Sequence, residues 1–108
     1  MDKAIEAVSF DVVADALAAG ERRKLLLALM EHNPQVDSSF VDDSDGDGDA
    51  YDRLVAMRHV HLPKLAEYGL VDWDEATHEV TRGPAFGGIE PVLTLLDDNE
   101  AALPADWP

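Results

Sequence analysis

Apolar residues recur at helical spacing over the first third of the chain. Ile5, Val8, Val12 and Leu17 predict an N-terminal amphipathic helix that is broken near Gly20. A second helix is predicted from Glu21 to His32, and its end is set by Asn33-Pro34, because the residue before a proline is pushed out of the α region. The expected buried stripe of this second helix consists of Leu25, Leu26, Leu29 and Met30.

The next stretch is poor in regular patterns. Gln35 to Val41 is short and its pattern is ambiguous; one helical turn with Phe40 and Val41 buried in the core is one possibility. Asp, Ser and Gly dominate residues 42–50, which predicts a solvated acidic loop.

Helical periodicity returns between Tyr51 and Tyr68. Pro63 is an anomaly there, because a proline inside a continuous helix removes one hydrogen bond at a cost of about 3 kcal/mol. We therefore expect a kink at Pro63, or a helix that restarts near His61. The predicted core face holds Leu54, Val55, Leu62, Leu65 and Ala66, whereas Arg53, Val60 and Lys64 fall on the exposed face and the direction of Arg58 depends on the kink.

The pattern changes after Gly69, which occupies a helix C-cap position. Residues 71–73 and 79–81 alternate and predict a hairpin that turns through residues 74–78. Residues 89–98 predict a C-terminal helix, in which Pro91 is tolerated in the first turn. Asn99 to Pro108 is expected to be frayed, although Leu103 and Trp107 could fold back onto the domain.

The segment HLPKLAEYGLVDW, from His61 to Trp73, resembles the HLxxLxxxGLV segment of ArsR-like winged-helix repressors. It is more similar still to small haloarchaeal winged-helix proteins that carry HLPKL itself. The resemblance covers roughly residues 11–82. It implies a mainly α fold with a small β-hairpin, namely a winged helix-turn-helix with flanking N- and C-terminal helices. We expect one domain over residues 1–108, with its core at about 11–82.

The most informative property of the composition is the net charge. The chain has 108 residues, 46% of them apolar, which is enough for one compact core. Its net charge is −15, from 23 acidic and 8 basic residues. Disorder, nucleic-acid mimicry or a basic partner are possible causes, but scarce Lys and abundant Asp favour adaptation to a concentrated-salt cytoplasm. The apolar runs are too short for a membrane span, so we expect a soluble cytoplasmic protein.

The positions of the basic residues are the best functional clue. All but Lys3 fall on elements that contact DNA in winged helices. Arg22, Arg23 and Lys24 begin the second helix. We predict a DNA-binding transcriptional regulator of a halophilic archaeon. The residues expected to contact double-stranded DNA are Arg53, Arg58, Val60, Lys64 and Arg82. The alternative is that these cationic side chains are solvated surface charges that form local ion pairs.

Acidic residues argue against DNA binding, because Asp37 and the aspartates of the 42–50 loop would lie beside the proposed DNA face. A winged-helix interaction module that binds a protein instead of DNA is therefore the rival hypothesis. We expect a homodimer built on the Ile5/Val8/Val12 and Ile89/Val92/Leu96 stripes, although each stripe could equally be buried within one protomer.

Other chemistry has little support. Asp43, Asp45 and Asp47 match the start of a calcium loop, but Leu54 stands where the bidentate Glu is required, so a flexible acidic loop is favoured. His59 and His61 point in different directions on a helix and cannot chelate one ion together. No serine has the sequence context of a nucleophile. We therefore expect neither an enzyme nor a metal site nor a cofactor.

Overall fold

The structure is a computed structural model that describes residues 8–37 and 48–108. A π-helical segment, Met57–His61, joins two α-helices, Gly48–Ala56 and Leu62–Glu67, into one continuous helix over residues 48–67, which we call the long helix. A 3-10 turn, Glu100–Ala102, lies near the C-terminal end. The described chain is mainly helical with a small antiparallel sheet, as predicted. Its elements are helices α1 (Phe10–Ala16), α2 (Gly20–Glu31), α3 (Gly48–Ala56), α4 (Leu62–Glu67) and α5 (Phe86–Asp98), and strands β1 (Gln35–Val36), β2 (Val71–Asp74) and β3 (Glu79–Arg82).

The first two helices lie close to their predicted positions. The Ser9 hydroxyl accepts the Val12 amide at 3.1 Å and thereby caps the N-terminus of α1. Ile5, the first residue of the predicted stripe, lies outside the described residues. Helix α2 ends just before the Asn33-Pro34 pair, as predicted. Three of its four predicted core residues, Leu25, Leu26 and Leu29, are fully buried, and Met30 is half-buried.

The predicted hairpin is confirmed. Strands β2 and β3 pair antiparallel with Trp73 opposite Val80, and Gly69 ends the preceding helix with a φ of 77°. The turn is held by Asp74, whose carboxylate accepts the amides of Ala76 and Thr77 at 3.0 and 3.4 Å. The hairpin is thus fixed by local chemistry at both of its ends.

The first residues of the 35–41 stretch do not form the helical turn that was considered for it. Gln35 and Val36 form β1, which pairs with β3 to give the strand order β1-β3-β2. The Gln35 side chain donates to the carbonyls of Ala28 and His32 at the end of α2, which holds the chain extended beside the hairpin. Phe40 and Val41, the core residues considered for this stretch, lie outside the described residues.

Pro63 is accommodated by the π-helical segment, not by a break in the helix. Because Pro63 has no N–H to donate to the preceding turn, the hydrogen bonding widens there, and the Leu62 amide donates to the Met57 carbonyl five residues earlier. The wider turn shifts the buried stripe. Met57 becomes fully buried, whereas Val55 is 37% exposed and Ala66 is exposed, so the core positions predicted for Val55 and Ala66 are wrong.

Two other boundaries differ from the prediction. Helix α3 begins at Gly48, so residues 48–50 are helical and the remainder of the predicted 42–50 loop lies outside the described residues. Helix α5 begins at Phe86 rather than Ile89, because Phe86 is buried and draws Gly87 and Gly88 into the first turn. The expected fraying of residues 99–108 is wrong, because Leu103 and Trp107 are half-buried and the segment folds back beside Leu17 and Leu96.

The core lies where the helices meet the inner face of the sheet. Leu62, Leu65, Leu70 and Val80 are fully buried there and join the long helix to the hairpin. Burying such side chains stabilises a fold by about 1.5–3 kcal/mol each. No helix within residues 8–37 and 48–108 has both the length and the apolar character needed to cross a membrane.

Candidate nucleic-acid interface

The exposed face of the long helix is less basic than the sequence predicted. Arg53, Arg58 and Lys64 are all half-buried and border this face instead of occupying its centre. Val60 is 49% exposed, as predicted. Within residues 51–67, the exposed positions are occupied by apolar, histidine and acidic residues, namely Tyr51, Asp52, Val55, His59, Val60, Pro63, Ala66 and Glu67.

Lys64 is held by an acidic partner from α1. Its ammonium group lies 2.9 Å from Asp15 Oδ2, and the Tyr68 hydroxyl donates to the same oxygen. The Tyr68 hydrogen bond, followed by that of Lys64, lowers the pKa of Asp15 below its ordinary value of 3.8. The same carboxylate raises the pKa of Lys64. Both Lys64 and Asp15 are about one-third exposed, so water can reach the pair.

Arg58 turns toward β1 and pairs with Asp37. Its Nη2 lies 3.4 Å from Asp37 Oδ1, while Trp73 Nε1 and His78 Nδ1 lie 3.2 and 3.1 Å from Oδ2. Asp37 is only 1% exposed, so this carboxylate is a buried acceptor shared by three elements. We expected Asp37 to lie as a repulsive charge beside the DNA face. That expectation is wrong, because Arg58 neutralises the buried carboxylate.

The contacts of Asp37 close one side of a cleft of about 440 Å³ between the long helix and the hairpin. Arg58, His59 and Pro63 line it from the helix, and Trp73 and His78 line it from the hairpin. The cleft therefore presents nitrogen donors beside one indole. Glu75 is also part of its lining and adds one carboxylate.

Arg82 is exposed, but its guanidinium is hydrogen-bonded within the protein. Its guanidinium donates to the carbonyls of Leu29 and Met30 at 2.7 and 2.9 Å, and it stacks 5.5 Å from the centre of the Phe86 ring. Carbonyl groups in the last turn of a helix lack intrahelical donors, and a cation there is also favoured by the helix dipole. Arg82 thus caps α2 and ties it to β3, which limits its reach toward a ligand.

Two further arginines cap α1 in the same way. Arg22 is 6% exposed and donates to the carbonyls of Asp15 and Ala16 at 2.7 and 3.3 Å, and Arg23 donates to Leu17 O at 2.7 Å. The sequence predicted that the basic cluster at the start of α2 lies near DNA. Its first two residues, Arg22 and Arg23, instead stabilise the end of α1. Lys24 remains exposed.

Sequence reasoning missed Asp15 and Asp37 as organising residues. Asp15 is separated from Lys64 by 49 positions and Asp37 from Arg58 by 21, so no local pattern reveals either pair. In a chain with 23 acidic residues, one carboxylate also does not stand out from the rest. Only burial distinguishes Asp37.

The cation loop of Asp43, Asp45 and Asp47 lies outside the described residues. Among the residues that are described, no group of three or more His, Asp or Glu side chains is placed to hold a metal ion. The predicted dimer stripes are used at least partly within the protomer, because Ile89 is fully buried and Val8, Val12 and Val92 pack against the core.

No protein-family model matches the chain. No curated protein and no solved structure matches it significantly either. Its own residues and their geometry are therefore the basis for any functional proposal.

Proposed function

We propose that the chain is a winged helix-turn-helix domain that acts as a DNA-binding transcriptional regulator. One observation carries the proposal: among the described elements a two-residue strand precedes the long helix, the long helix leads into a hairpin, and the strand order is β1-β3-β2. In a winged helix the recognition helix likewise leads into the hairpin that forms the wing. The step from this fold to DNA binding is an analogy between folds and needs its own test.

The proposed contacts divide between bases and phosphates. Val60, at the exposed face, would meet base edges in the major groove, and Arg53 at the border of that face would reach a base or phosphate. Arg58 and Lys64 would approach the phosphate backbone. Lys64 is able to do so because its partner Asp15 is solvent-accessible, so a phosphate can replace the carboxylate. Arg82 would position the wing mainly by holding β3 against α2.

The test is binding to a pool of genomic DNA fragments in molar KCl, where we expect the wild type to be folded. Arg53→Ala should weaken binding to a selected fragment by about 1–3 kcal/mol if it contacts a base, and all fragments similarly if it contacts a phosphate. Lys3→Ala removes the one cation that lies outside the elements predicted to contact DNA, so it is the matched control and should leave binding unchanged. Arg82→Ala should lower the stability of the fold more than it lowers the affinity for DNA, because Arg82 caps α2.

A second candidate is a winged-helix module that binds a protein instead of DNA. The specific observation in its favour is the composition of the exposed helix face, where Tyr51 is 67% exposed and Val55 37%, and Asp52 and Glu67 are also exposed. Apolar and aromatic side chains are typical of protein interfaces, and carboxylates there repel phosphates. If the folded wild type shows no sequence preference across the fragment pool, this candidate replaces the first.

Cytoplasmic location, life at high salt and a homodimer belong to the same proposal. Phe10 on α1 and Leu95 on α5, which are 77% and 63% exposed, are the exposed apolar side chains on these two helices in the described chain that a contact between protomers could cover. Light scattering of the wild type and of Leu95→Asp tests the dimer. A monomeric mass for the wild type across a concentration series would remove it.

A further inference from the structure

A second cleft, of about 280 Å³, lies between the α1–α2 junction, the end of α5 and the C-terminal segment. Leu17, Leu96, Leu103 and Trp107 supply apolar walls, and Arg23 supplies a cation. This volume is close to the lower end of the range for small-molecule sites. None of its lining residues belongs to the proposed DNA contacts.

Arg23 makes few contacts for a half-buried cation. The one hydrogen bond of its side chain within the described chain runs from Nη1 to the Leu17 carbonyl, and the side chain forms no ion pair with any residue in that part of the chain. By comparison, Arg22 and Arg58 each lie within 4 Å of a carboxylate. In a protein with a net charge of −15, a guanidinium that faces a cleft without an acid partner is unusual.

The buried donors around this cleft are also incompletely satisfied. Across residues 8–37 and 48–108, three buried side-chain nitrogens have no hydrogen-bond partner, and two of them, Arg23 Nε and Trp107 Nε1, belong to residues that line the cleft. Buried donors without an acceptor are unfavourable, and a native fold usually supplies them with a water or a ligand. Both of these nitrogens can only donate, so the missing group is an acceptor.

We propose that this cleft binds a small organic monocarboxylate with an apolar body. The carboxylate would accept hydrogen bonds from the Arg23 guanidinium and the Trp107 indole, and the apolar body would lie against Leu17, Leu96 and Leu103. A phosphate or sulfate fits less well, because the walls are apolar and Asp106 adds a negative charge to the lining. The ligand would bridge α1, α2, α5 and the C-terminal segment, as an effector of a regulator would.

The test uses phenylacetate and hexanoate as probes, with phenylacetamide as the neutral analogue and acetate as the carboxylate without an apolar body. Calorimetric titrations share one KCl concentration at which the wild type is folded, so competition by chloride is constant. We expect saturable one-to-one binding of both acids. Binding of the amide and of acetate should be weaker by about tenfold or more, because the amide lacks the carboxylate and acetate lacks the apolar body.

Single substitutions separate this site from a nonspecific surface. Arg23→Gln should weaken phenylacetate binding by about tenfold or more, whereas Lys24→Gln, its exposed neighbour, should leave it unchanged. Trp107→Phe keeps an aromatic wall but loses the N–H, so it should bind more weakly than the wild type. Asp106→Asn removes a repulsive charge and should bind more tightly.

Three outcomes would overturn the proposal: no saturable binding of either acid to the folded wild type, equal binding of the amide, or unchanged affinity in a folded Arg23→Gln. Because Arg23 also holds the Leu17 carbonyl, Arg23→Gln could fail to fold, and Trp107→Phe then decides. Equal phenylacetate affinity in Trp107→Phe and the wild type rejects the site. DNA binding is a separate measurement, so either proposal can fail without the other.

Discussion

The Arg22 guanidinium donates from Nη1 to His61 Nδ1 at 2.9 Å, so a permanent cation is hydrogen-bonded to a titratable base. Arg22 can only donate, which requires Nδ1 of His61 to carry no proton. Burial, and secondarily the charge of Arg22, lower the pKa of His61 below its ordinary value of 6.5. Protonation of His61 would break this contact between α2 and the π-helical segment.

We predict that acidification destabilises the fold through His61. Above pH 6.5 the imidazole is neutral in both the folded and the unfolded chain, so it contributes no pH dependence. Below that value the unfolded chain takes up a proton that the folded chain resists, and stability falls until the lower, folded-state pKa is reached. Urea denaturation between about pH 7 and pH 5 measures the slope.

The matched controls are His61→Gln, which should flatten this slope, and His32→Gln at an exposed position, which should not. Asp15 has a lowered pKa, so its contribution is lost only when the pH falls below 3.8, outside this window. Identical slopes for the wild type and His61→Gln would exclude His61 as the source.

Local chemistry explains which elements were predictable. The hairpin was predicted because alternation, an Asp at the turn and Gly69 at the helix end all act within a few residues. Pro63 marked the place of an irregularity, but whether it would kink, restart or widen the helix depends on what packs around it. The two-residue strand β1 has no period to detect, and its pairing with β3 is made across more than 40 residues.

The candidate interface was less predictable, for a related reason. Periodicity assigned Arg53 and Lys64 to one exposed face, but the π-helical segment changes the phase of the helix, and Asp15 reaches Lys64 from α1. The charge of a side chain is visible in the sequence, whereas its partner is not. Arg82 illustrates the difference, since its role as a cap of α2 depends on carbonyls more than 50 positions away.

We predict that Asp37→Ala destabilises the protein by about 2–3 kcal/mol, because it removes the acceptor of three side-chain hydrogen bonds and leaves the Arg58 charge without its partner. Chemical denaturation followed by circular dichroism measures the change. Asp72→Ala, at an exposed position of β2, is the control and should change stability by less than about 0.5 kcal/mol. Equal losses in the two variants would show that Asp37 does not organise the helix-hairpin junction.

We predict that Gly83→Ala is poorly tolerated. A Cβ at this position would lie 2.4 Å from the Gly69 carbonyl oxygen and 2.8 Å from the Val71 nitrogen, both of which are backbone atoms at the base of the hairpin. The backbone would have to move, at a cost of about 2 kcal/mol or more. Gly87→Ala, at an exposed position in α5, should change stability by about 1 kcal/mol or less. A folded Gly83→Ala variant with wild-type stability would contradict this geometry.

The final prediction concerns salt. Only 8 cations are available for 23 acidic residues, so at least fifteen carboxylates have no cation of their own whatever the pairing. Ion pairs such as Lys64–Asp15 weaken as salt is added, but the more numerous repulsions between unpaired carboxylates weaken too, and repulsion should dominate. At 1 M ionic strength the Debye length is about 3 Å, which screens most surface charges from one another. The melting temperature should therefore rise steeply from low salt to molar KCl. Lys64→Gln should preserve that rise, because it leaves the excess of carboxylates intact. A melting temperature that is the same at both ends of the KCl series would reject the halophilic explanation of the charge and would favour a basic partner instead.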